Sequence, residues 1–396
     1  MAASKQSLLG ATLLIAGTCV GGGILALPVE TGTAGFLPSI LTMTLAWLFM
    51  TLTGLYYAEA NLWLSKGAHV MTMASQLLGP LGKYASLILF LFIDYASLVA
   101  YNAAGGTLLG HFFEKVFGLP IPRSTELFLF AILFGSLLYL GTKVIGRINS
   151  ILMAGLIAAY AALIGLGITE VKASMLATLG FKHAPIALPL VLTTFSFQMI
   201  VPSLTPYLNR DSKAIKKAII FGTSIPFAVY LIWQAVVLGI VPIDALGEAF
   251  TQGSAATEPL RIALNNRSLM ACADAFAFFA IVTSYLGIGL SLYDFLSDSI
   301  HLPRKGIGKI FLSALVLIPS LFFAIVYPRA FLVALEVTGG YGDTLLNGLI
   351  PISMIWVGRY VKNLQGPLRI WGGKRLLIIM ALFALLVISI QTANFF

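Results

Sequence analysis

The distribution of long apolar segments constrains this chain more than any other feature of its sequence. About 20 consecutive apolar residues suffice for one helix to cross the hydrocarbon core of a bilayer. Eleven stretches meet this condition, so the sequence predicts an all-α polytopic membrane protein with 11 transmembrane helices. The predicted spans are 7–33, 35–63, 84–113, 125–141, 147–168, 186–208, 213–241, 267–298, 308–327, 329–358 and 374–393.

The overall composition supports the same class of protein. Of the 396 residues, 59% are hydrophobic and 10% are charged, which is typical of membrane-embedded chains. We expect residues 1–396 to form one transmembrane domain, with the first apolar run retained as a span rather than removed as a signal peptide. Cys19 and Cys272 lie in apolar runs and indicate neither a disulfide nor a metal site, and no cofactor is expected.

The positive charges predict the orientation of the chain. If the N-terminus is cytoplasmic, 17 of the 24 Lys and Arg residues fall on the cytoplasmic side, as the positive-inside rule requires. The C-terminus then lies on the external side of the inner membrane. This bias also explains the net charge of +9 without a nucleic-acid partner, and the sequence indicates no obligatory protein partner. The external residues are Lys115, Arg123, Lys172, Lys182, Arg261, Arg267 and Arg329.

A glycine triplet interrupts the first span. The run reads Gly17-Thr-Cys-Val-Gly-Gly-Gly-Ile-Leu-Ala-Leu-Pro28, with Gly21, Gly22 and Gly23 in its middle. Each glycine costs about 1 kcal/mol relative to alanine in a helix interior. The triplet predicts an unwound hinge whose backbone groups face a substrate or an ion. The alternative is a close-packing helix face built on small residues.

The sixth span has a similar interruption. Pro202 and Pro206 follow a polar centre at Ser196 and Gln198. Two interrupted helices five spans apart predict an inverted repeat of five plus five spans with the binding site between the halves. The first repeat covers about 7–170, the second about 186–360, and an extra helix 11 follows at about 374–393.

Polar residues within the third span could face a cavity. Asp94, Ser97 and Tyr101 have the spacing i, i+3, i+7 and therefore share one helix face. Such residues inside a membrane suggest a functional site. An interhelical hydrogen-bond seam is the alternative interpretation. If the face lines a cavity, Asp94 is a candidate for ion coupling.

Two hydroxyl groups of the eighth span, Thr283 and Ser284, fall near the middle of the membrane. If they face the glycine break of span 1, they suit a small hard cation such as sodium. Alternatively, each hydroxyl bonds to the backbone of its own helix.

Glu336 of the tenth span is a further candidate for ion coupling. Glu336 and Asp343 flank the glycine-rich run Thr338-Gly-Gly-Tyr-Gly342, and two carboxylates around three glycines predict a second irregular region. A carboxyl group that gains and releases a proton could couple transport to a proton gradient. The alternative is a structural carboxyl group that caps a broken helix.

Aromatic side chains surround the predicted breaks. Phe195, Phe197, Tyr101, Tyr285 and Tyr341 come from four spans. Half-helix N-termini attract a carboxylate, and unwound carbonyl groups accept hydrogen bonds from an ammonium. The combination suits a zwitterion with an apolar or aromatic side chain.

Several of these motifs resemble those of the hydroxy and aromatic amino acid permeases, a family of the amino acid–polyamine–organocation superfamily with the LeuT-type fold. The similarity covers nearly the whole chain and is strongest to the tyrosine-specific members. The motifs are Gly17 to Pro28, Phe195-Ser-Phe-Gln-Met-Ile-Val-Pro-Ser203, Thr283-Ser-Tyr-Leu-Gly-Ile-Gly-Leu-Ser-Leu-Tyr-Asp294 and Pro328-Arg-Ala-Phe331.

The resemblance implies symport of an aromatic amino acid with protons into the cell. It implies that Gly21, Gly22, Gly23 and Ser196 bind the backbone of the substrate. Members of the family often have Gly and His where this chain has Ser196 and Gln198. Gln198 cannot titrate, so it cannot take over a proton-handling role of that histidine. The residues expected to shape the side-chain pocket are Tyr101, Phe195, Phe197, Gln198 and Tyr285.

We therefore expect a secondary active importer of tyrosine, or of tryptophan or phenylalanine, that is coupled to protons and works by alternating access. It is not expected to be an enzyme. A sodium-coupled permease for other neutral amino acids is the main alternative. A channel would need a continuous polar pore, and a nutrient sensor on a transporter scaffold would need a cytoplasmic signalling tail.

Overall fold

The computed structural model describes residues 5–65, 68–140, 142–264, 266–302, 305–327 and 329–394. Within these ranges the chain is helical and forms no β-strand. Lys66 and Arg304, two of the 17 positive residues assigned to the cytoplasmic side, and Pro328 of the tenth-span motif lie outside the described residues. The α-helices are α1 (Lys5–Cys19), α2 (Leu27–Gly32), α3 (Phe36–Trp63), α4 (Val70–Phe117), α5 (Arg123–Gly135), α6 (Thr142–Gly167), α7 (Leu188–Thr194), α8 (Val201–Tyr207), α9 (Ser212–Ile240), α10 (Ile243–Gln252), α11 (Thr257–Ala263), α12 (Arg267–Ser299), α13 (Ile307–Val326), α14 (Ala330–Val337), α15 (Ile350–Tyr360) and α16 (Gly373–Ala393).

The lengths of these helices match a multi-pass membrane protein. Among the described residues, nine helices are long and apolar enough to cross a bilayer, or up to ten if a bent pair counts as one span. Their outer faces carry large apolar side chains, such as Leu382, Leu385 and Leu386 of α16, which are 60%, 51% and 52% exposed. In lipid such a surface needs no further cover, and helices satisfy their backbone groups internally.

The first span contains the predicted break. The α1 helix ends at Cys19, a single 3₁₀ turn covers Gly22–Leu25, and α2 follows. The two halves of this span are bent by 47° at the break. Gly21 has an extended backbone conformation that leaves the helical path, and Pro28 stands in the first turn of α2, where its missing N–H costs nothing.

The sixth span is also broken where the sequence predicted it. The α7 helix ends at Thr194, and a 3₁₀ turn over Gln198–Ile200 leads into α8. Phe195 and Phe197, on either side of the break, have backbone angles outside the helical region. Pro189 and Pro202 stand in the first turns of α7 and α8, where proline is tolerated.

The third span differs from its prediction. The sequence predicted 84–113, whereas α4 covers Val70–Phe117. Gly79 interrupts α4 with a φ of +77°, a conformation that favours glycine, and Pro80 follows it. The part before Gly79 was not predicted because it is less apolar than the span itself. The short helices α10 and α11 between α9 and α12 were not predicted either, for the same reason.

The region predicted as the tenth span is one continuous helical path with a change of winding. A π-helical segment, Thr338–Leu349, joins α14 to α15. Because these three pieces are individually short, they are not among the nine or ten spans counted above. The number of eleven spans, the single domain and the inverted repeat therefore stay predictions.

A buried ion pair ties α3 to α15. Arg359 Nε and Nη2 donate to Glu59 at 2.7 and 2.5 Å, and both side chains are almost fully buried. The Ile370 N–H also donates to Glu59, and Arg359 donates to the Ile370 carbonyl, each at 2.8 Å. The connection from α15 to α16 is thereby held against α3.

Candidate functional site

A cavity of about 580 Å³ lies between the two helix breaks. Residues of α1, α4, α6, α12 and the π-helical segment complete its wall. It reaches along α1 to Leu13, six residues before the end of that helix, or about 9 Å. The sequence-predicted residues on its wall are Gly21, Gly23, Asp94, Ser97, Tyr101, Ser196, Phe197, Thr283 and Ser284.

Each glycine of the triplet faces a different neighbouring span. A Cβ atom on Gly21 would lie 2.6 Å from Ser284 Oγ, and one on Gly23 would lie 3.2 Å from Thr194 Cγ2. On Gly22 it would lie 2.4 Å from Tyr101 Cε1, which is far inside contact distance. The triplet therefore allows α12, α7 and α4 to approach the break closely. Gly22 itself packs on Tyr101 and does not line the cavity.

The hydroxyl groups of α12 have different roles. Ser284 Oγ accepts a 2.9 Å hydrogen bond from the Gly22 N–H and so holds the break of the first span. Thr283 donates to Phe279 O at 2.7 Å and to Ala280 O at 3.2 Å, within its own helix. Both residues line the cavity, so their oxygens could still coordinate a cation.

Asp343 of the π-helical segment anchors the break of the sixth span. Ser196 Oγ donates to its Oδ1 at 2.7 Å, and Thr193 Oγ1 donates to its Oδ2 at 3.0 Å. Asn347 Nδ2 also donates to Oδ1, at 2.7 Å. Asp343 is 1% exposed and lines the cavity. Each oxygen of this carboxyl group thus accepts at least one hydrogen bond, and the donors come from the sixth span and from the π-helical segment.

Asp94 brings a second carboxyl group to the same cavity. It is 7% exposed and lines the wall on the α4 side. Its Oδ2 has no hydrogen-bond partner among the described residues. The side chain forms a hydrogen bond with Ser291 of α12 and interacts electrostatically with Asp343. Of the two carboxyl groups on this wall, Asp94 is therefore the less satisfied.

Tyr230 of α9 joins the two breaks. Its hydroxyl lies 2.6 Å from Cys19 O, the last carbonyl of α1, and 2.9 Å from Thr194 O, the last carbonyl of α7. The ring also packs edge-on against Phe195, with 5.2 Å between ring centroids. One buried side chain thus contacts the end of both half-helices.

The aromatic part of the wall consists of two of the predicted residues and of Phe90 of α4, which the sequence did not predict. Tyr101 and Phe197 line the cavity and are 6% and 1% exposed. The Phe197 ring packs on Gly54 of α3, where a Cβ atom would lie 2.2 Å from the ring. Both rings are fixed from behind, which makes them firm walls for a substrate ring.

Three other predicted pocket residues lie behind the wall. Phe195 is fully buried between Tyr230 and Phe227 of α9. Gln198 points to α3, where its Nε2 donates to Met50 O at 3.1 Å and to Thr53 Oγ1 at 3.0 Å. Tyr285 packs edge-on against Phe130. None of the three lines the cavity. The backbone of the sixth-span break directs Phe195 and Gln198 away from it, and α12 directs Tyr285 away from it.

Glu336 also lies away from the cavity. It interacts electrostatically with Glu30 of α2 and with Arg329. Glu336 Oε1 and both carboxyl oxygens of Glu30 are buried and have no hydrogen-bond partner among the described residues. This charged cluster covers the end of the first span beyond the break.

The sequence did not lead us to predict Thr193 and Asn347 as anchor residues, and it placed Asp343 in the irregular region of span 10 without assigning it to the site. A signal was present, because Asp343 follows three glycines and Asn347 stands four residues later, one turn along a helix. No group of three or more His, Cys, Asp or Glu side chains in the described ranges could hold a metal ion.

Comparison with known proteins agrees with this architecture. The chain is 31% identical to the tyrosine-specific transport system 1 of Haemophilus influenzae, over 97% of this chain and 96% of that protein. It is 29% identical to the tryptophan-specific transport protein of Shigella flexneri, over 96% and 93%. It is 26% identical to the low affinity tryptophan permease of Escherichia coli, over 100% and 97%. Residues 4–391 match the model of the tryptophan/tyrosine permease family, so the chain is a multi-pass membrane protein that belongs to this family of transporters rather than to any enzyme family.

Proposed function

We propose that this chain is a secondary active symporter that imports tyrosine or tryptophan together with protons across the inner membrane. The observation that carries the proposal is the cavity of about 580 Å³ between two helix breaks, with two carboxyl groups on its wall. The substrates named for the relatives, tyrosine in one and tryptophan in two others, support an aromatic amino acid.

The two breaks suit the charged groups of an amino acid. Unwound backbone at Gly21 and Gly23 offers N–H groups to a carboxylate, and the N-terminal ends of half-helices favour negative charge. The carbonyls of Cys19 and Thr194, at the C-terminal ends of α1 and α7, favour the ammonium group. Ser196 adds a hydroxyl on the same wall.

The size and lining of the cavity suit an aromatic side chain. Its volume falls within the range of about 300–1,000 Å³ that is usual for small-molecule sites. Tyr101 and Phe197 supply rings, and Met153 and Ile288 supply aliphatic surface. Aromatic pairs at contact distance contribute about 0.5–1.5 kcal/mol beyond the area that they bury.

Asp94 is the best candidate for the coupling proton. Asp343 already receives three hydrogen bonds, which hold the sixth-span break, whereas Asp94 has an oxygen without a partner and faces the cavity. A proton on Asp94 would give this oxygen a donor function that a substrate carboxylate could use. Glu336, the other candidate for proton coupling, would take up its proton outside the cavity, in the charged cluster with Glu30 and Arg329.

The cavity is covered at one end and extends along α1 and α6 at the other, and this asymmetry supports alternating access. On the α2 side, Trp233 Nε1 donates to Ile24 O at 2.9 Å, and the Ala256 N–H donates to Leu25 O at 2.7 Å. On the other side, the cavity extends along α1 to Leu13 and along α6 to Asn149. With the N-terminus in the cytoplasm, this conformation is open to the inside. The five-span repeats would rock about the two breaks to open the opposite side.

Uptake of labelled tyrosine and tryptophan into proteoliposomes tests the proposal. A proton gradient and a sodium gradient are imposed separately, with unlabelled phenylalanine and leucine as competitors. We expect accumulation driven by the proton gradient and blocked by aromatic competitors. Accumulation that strictly needs sodium would overturn proton coupling and direct attention to Thr283 and Ser284. No accumulation of either amino acid would overturn the substrate class.

The variant Asp94→Asn tests the site of coupling. We expect it to retain tyrosine exchange across the membrane without a gradient but to lose proton-driven accumulation. Asp274→Asn is the matched control, because Asp274 is a half-exposed residue of α12 outside the cavity. Normal proton-driven accumulation by Asp94→Asn would exclude Asp94 as the coupling group.

A further inference from the structure

A second concave site lies on the side of the bundle, between α4, α5 and α12. It is a groove of about 500 Å³ that shares no lining residue with the central cavity. Four phenylalanines and three leucines form most of its wall, and two of them, Phe112 and Leu133, are each 53% exposed. The wall and the rim of this lateral groove include Lys115, Phe130, Leu133, Phe134, Arg261 and Asp274.

The groove has a polar end and an apolar end. Lys115, Arg261 and Asp274 form the rim, and Phe130 and Phe134 lie deeper along α5. From Lys115 to Gly105, the groove follows α4 for ten residues, or about 15 Å. This length equals about half of a 30 Å hydrocarbon core, the depth of one leaflet. The shape therefore suits one lipid chain with its head group at the rim.

The charged residues at the rim indicate which lipid head group the groove prefers. Lys115 Nζ lies 3.4 Å from Asp274 Oδ2, and the two side chains are 62% and 40% exposed. Such an exposed ion pair is weak, so Lys115 can leave Asp274 and pair with another anion. Arg261 adds a second cation at the same rim. Within the lining of the groove itself, two cations stand against one carboxylate, which favours a phosphate group, and arginine binds phosphate through two parallel hydrogen bonds.

We propose that the lateral groove binds one anionic phospholipid of the adjacent leaflet. Its acyl chain lies along Phe130 and Phe134, and its phosphate contacts Lys115 and Arg261. An aromatic amino acid fits less well, because it is too short to reach from the rim to Gly105. The binding needs no substrate and no ion gradient, so it does not depend on the transport function proposed above.

Native mass spectrometry of the full-length protein tests this proposal. The purified protein receives phosphatidylglycerol or phosphatidylcholine in detergent, and the bound lipid is counted after the detergent is removed. We expect one retained phosphatidylglycerol and weaker retention of phosphatidylcholine. In Lys115→Gln/Arg261→Gln, we expect phosphatidylglycerol affinity to fall roughly tenfold or more, as for two lost charge contacts near a membrane.

Two further variants make the result specific. Leu133→Trp adds bulk to an exposed wall position and should reduce binding of both lipids, because it fills the place of the chain. Lys172→Gln/Lys182→Gln removes the same charge at the same predicted membrane side, away from the groove, and should bind as the unmodified protein does. The proposal is overturned if both charge variants lose phosphatidylglycerol equally, or if neither the rim variant nor Leu133→Trp changes binding.

Discussion

Ser196 Oγ donates a 2.7 Å hydrogen bond to Asp343 Oδ1 and thereby fixes the break of the sixth span to the π-helical segment of the tenth. The contact joins two irregular pieces of backbone at the wall of one cavity. The break of the sixth span is not helical, and the π-helical segment is wound more widely than an α-helix, so a charged acceptor between them helps to fix their geometry.

We expect Asp343→Asn to impair transport by disturbing this contact. The asparagine amide would place a donor where Ser196, Thr193 or Asn347 now donates. Loss of a hydrogen bond to a charged group costs about 1.5–3 kcal/mol, which predicts a loss of roughly 10–150-fold in substrate affinity. Tyrosine binding and uptake kinetics measure it. Ser196→Ala, which removes one donor only, should have a smaller effect, and equal losses would contradict the role of Asp343 as the common acceptor.

The close contact of Gly22 with Tyr101 predicts strict dependence on glycine at this position. A methyl group in Gly22→Ala would lie 2.4 Å from the Tyr101 ring, so either the break or the ring must move. Overpacking of this kind costs about 1–3 kcal/mol. Gly17→Ala is the matched control, since no atom lies within 4 Å of the Cβ position there. Uptake and thermal stability should fall in Gly22→Ala alone, and a similar fall in both variants would contradict the packing argument.

Substrate selectivity should separate Phe197 from Phe195. Phe197 lines the cavity, whereas Phe195 is buried behind it against Tyr230. We expect Phe197→Leu to weaken tyrosine and tryptophan inhibition of uptake more than leucine inhibition, by roughly 2–10-fold, because ring–ring contact is lost. Phe195→Leu should lower thermal stability without changing the order of inhibitors. A changed inhibitor order in Phe195→Leu would show that this side chain reaches the substrate.

The ion pair between Glu59 and Arg359 should contribute to stability through the cost of breaking it. Arg359→Met leaves the buried Glu59 charge without its partner, which destabilises a protein by about 3–5 kcal/mol. Lys115→Met breaks the exposed pair with Asp274 and should cost about 1 kcal/mol or less. Thermal unfolding in detergent compares them. The double variant Glu59→Gln/Arg359→Met should regain most of the loss, and no regain would contradict this explanation.

The positions of the two breaks could be predicted from the sequence because glycine and proline act locally. Gly21 to Gly23 weaken the helix at the point where the first span breaks, and Pro202 is suited to the first turn of a new helix. The apolar character of each span also follows from its amino-acid composition. These features are determined within a few residues of chain.

The direction of side chains at the breaks could not be predicted in the same way. Gln198 leaves the cavity because the backbone at Phe197 turns its neighbour towards Met50 and Thr53. In a regular α-helix, Glu336 and Asp343 are seven residues apart and share a face. The π-helical winding from Thr338 onwards changes that angle, so Asp343 faces the cavity and Glu336 the charged cluster.

The hydroxyl of Tyr230 has only one hydrogen atom, although it lies within reach of two carbonyl oxygens. Cys19 O and Thr194 O can only accept, so they compete for this single donor. When the Tyr230 hydroxyl donates to one of these carbonyl oxygens, the other can accept a hydrogen bond from a different donor on the cavity side. At any moment one of the two carbonyl oxygens therefore has no hydrogen from Tyr230, and it is the acceptor that the ammonium of the substrate proposed above would use.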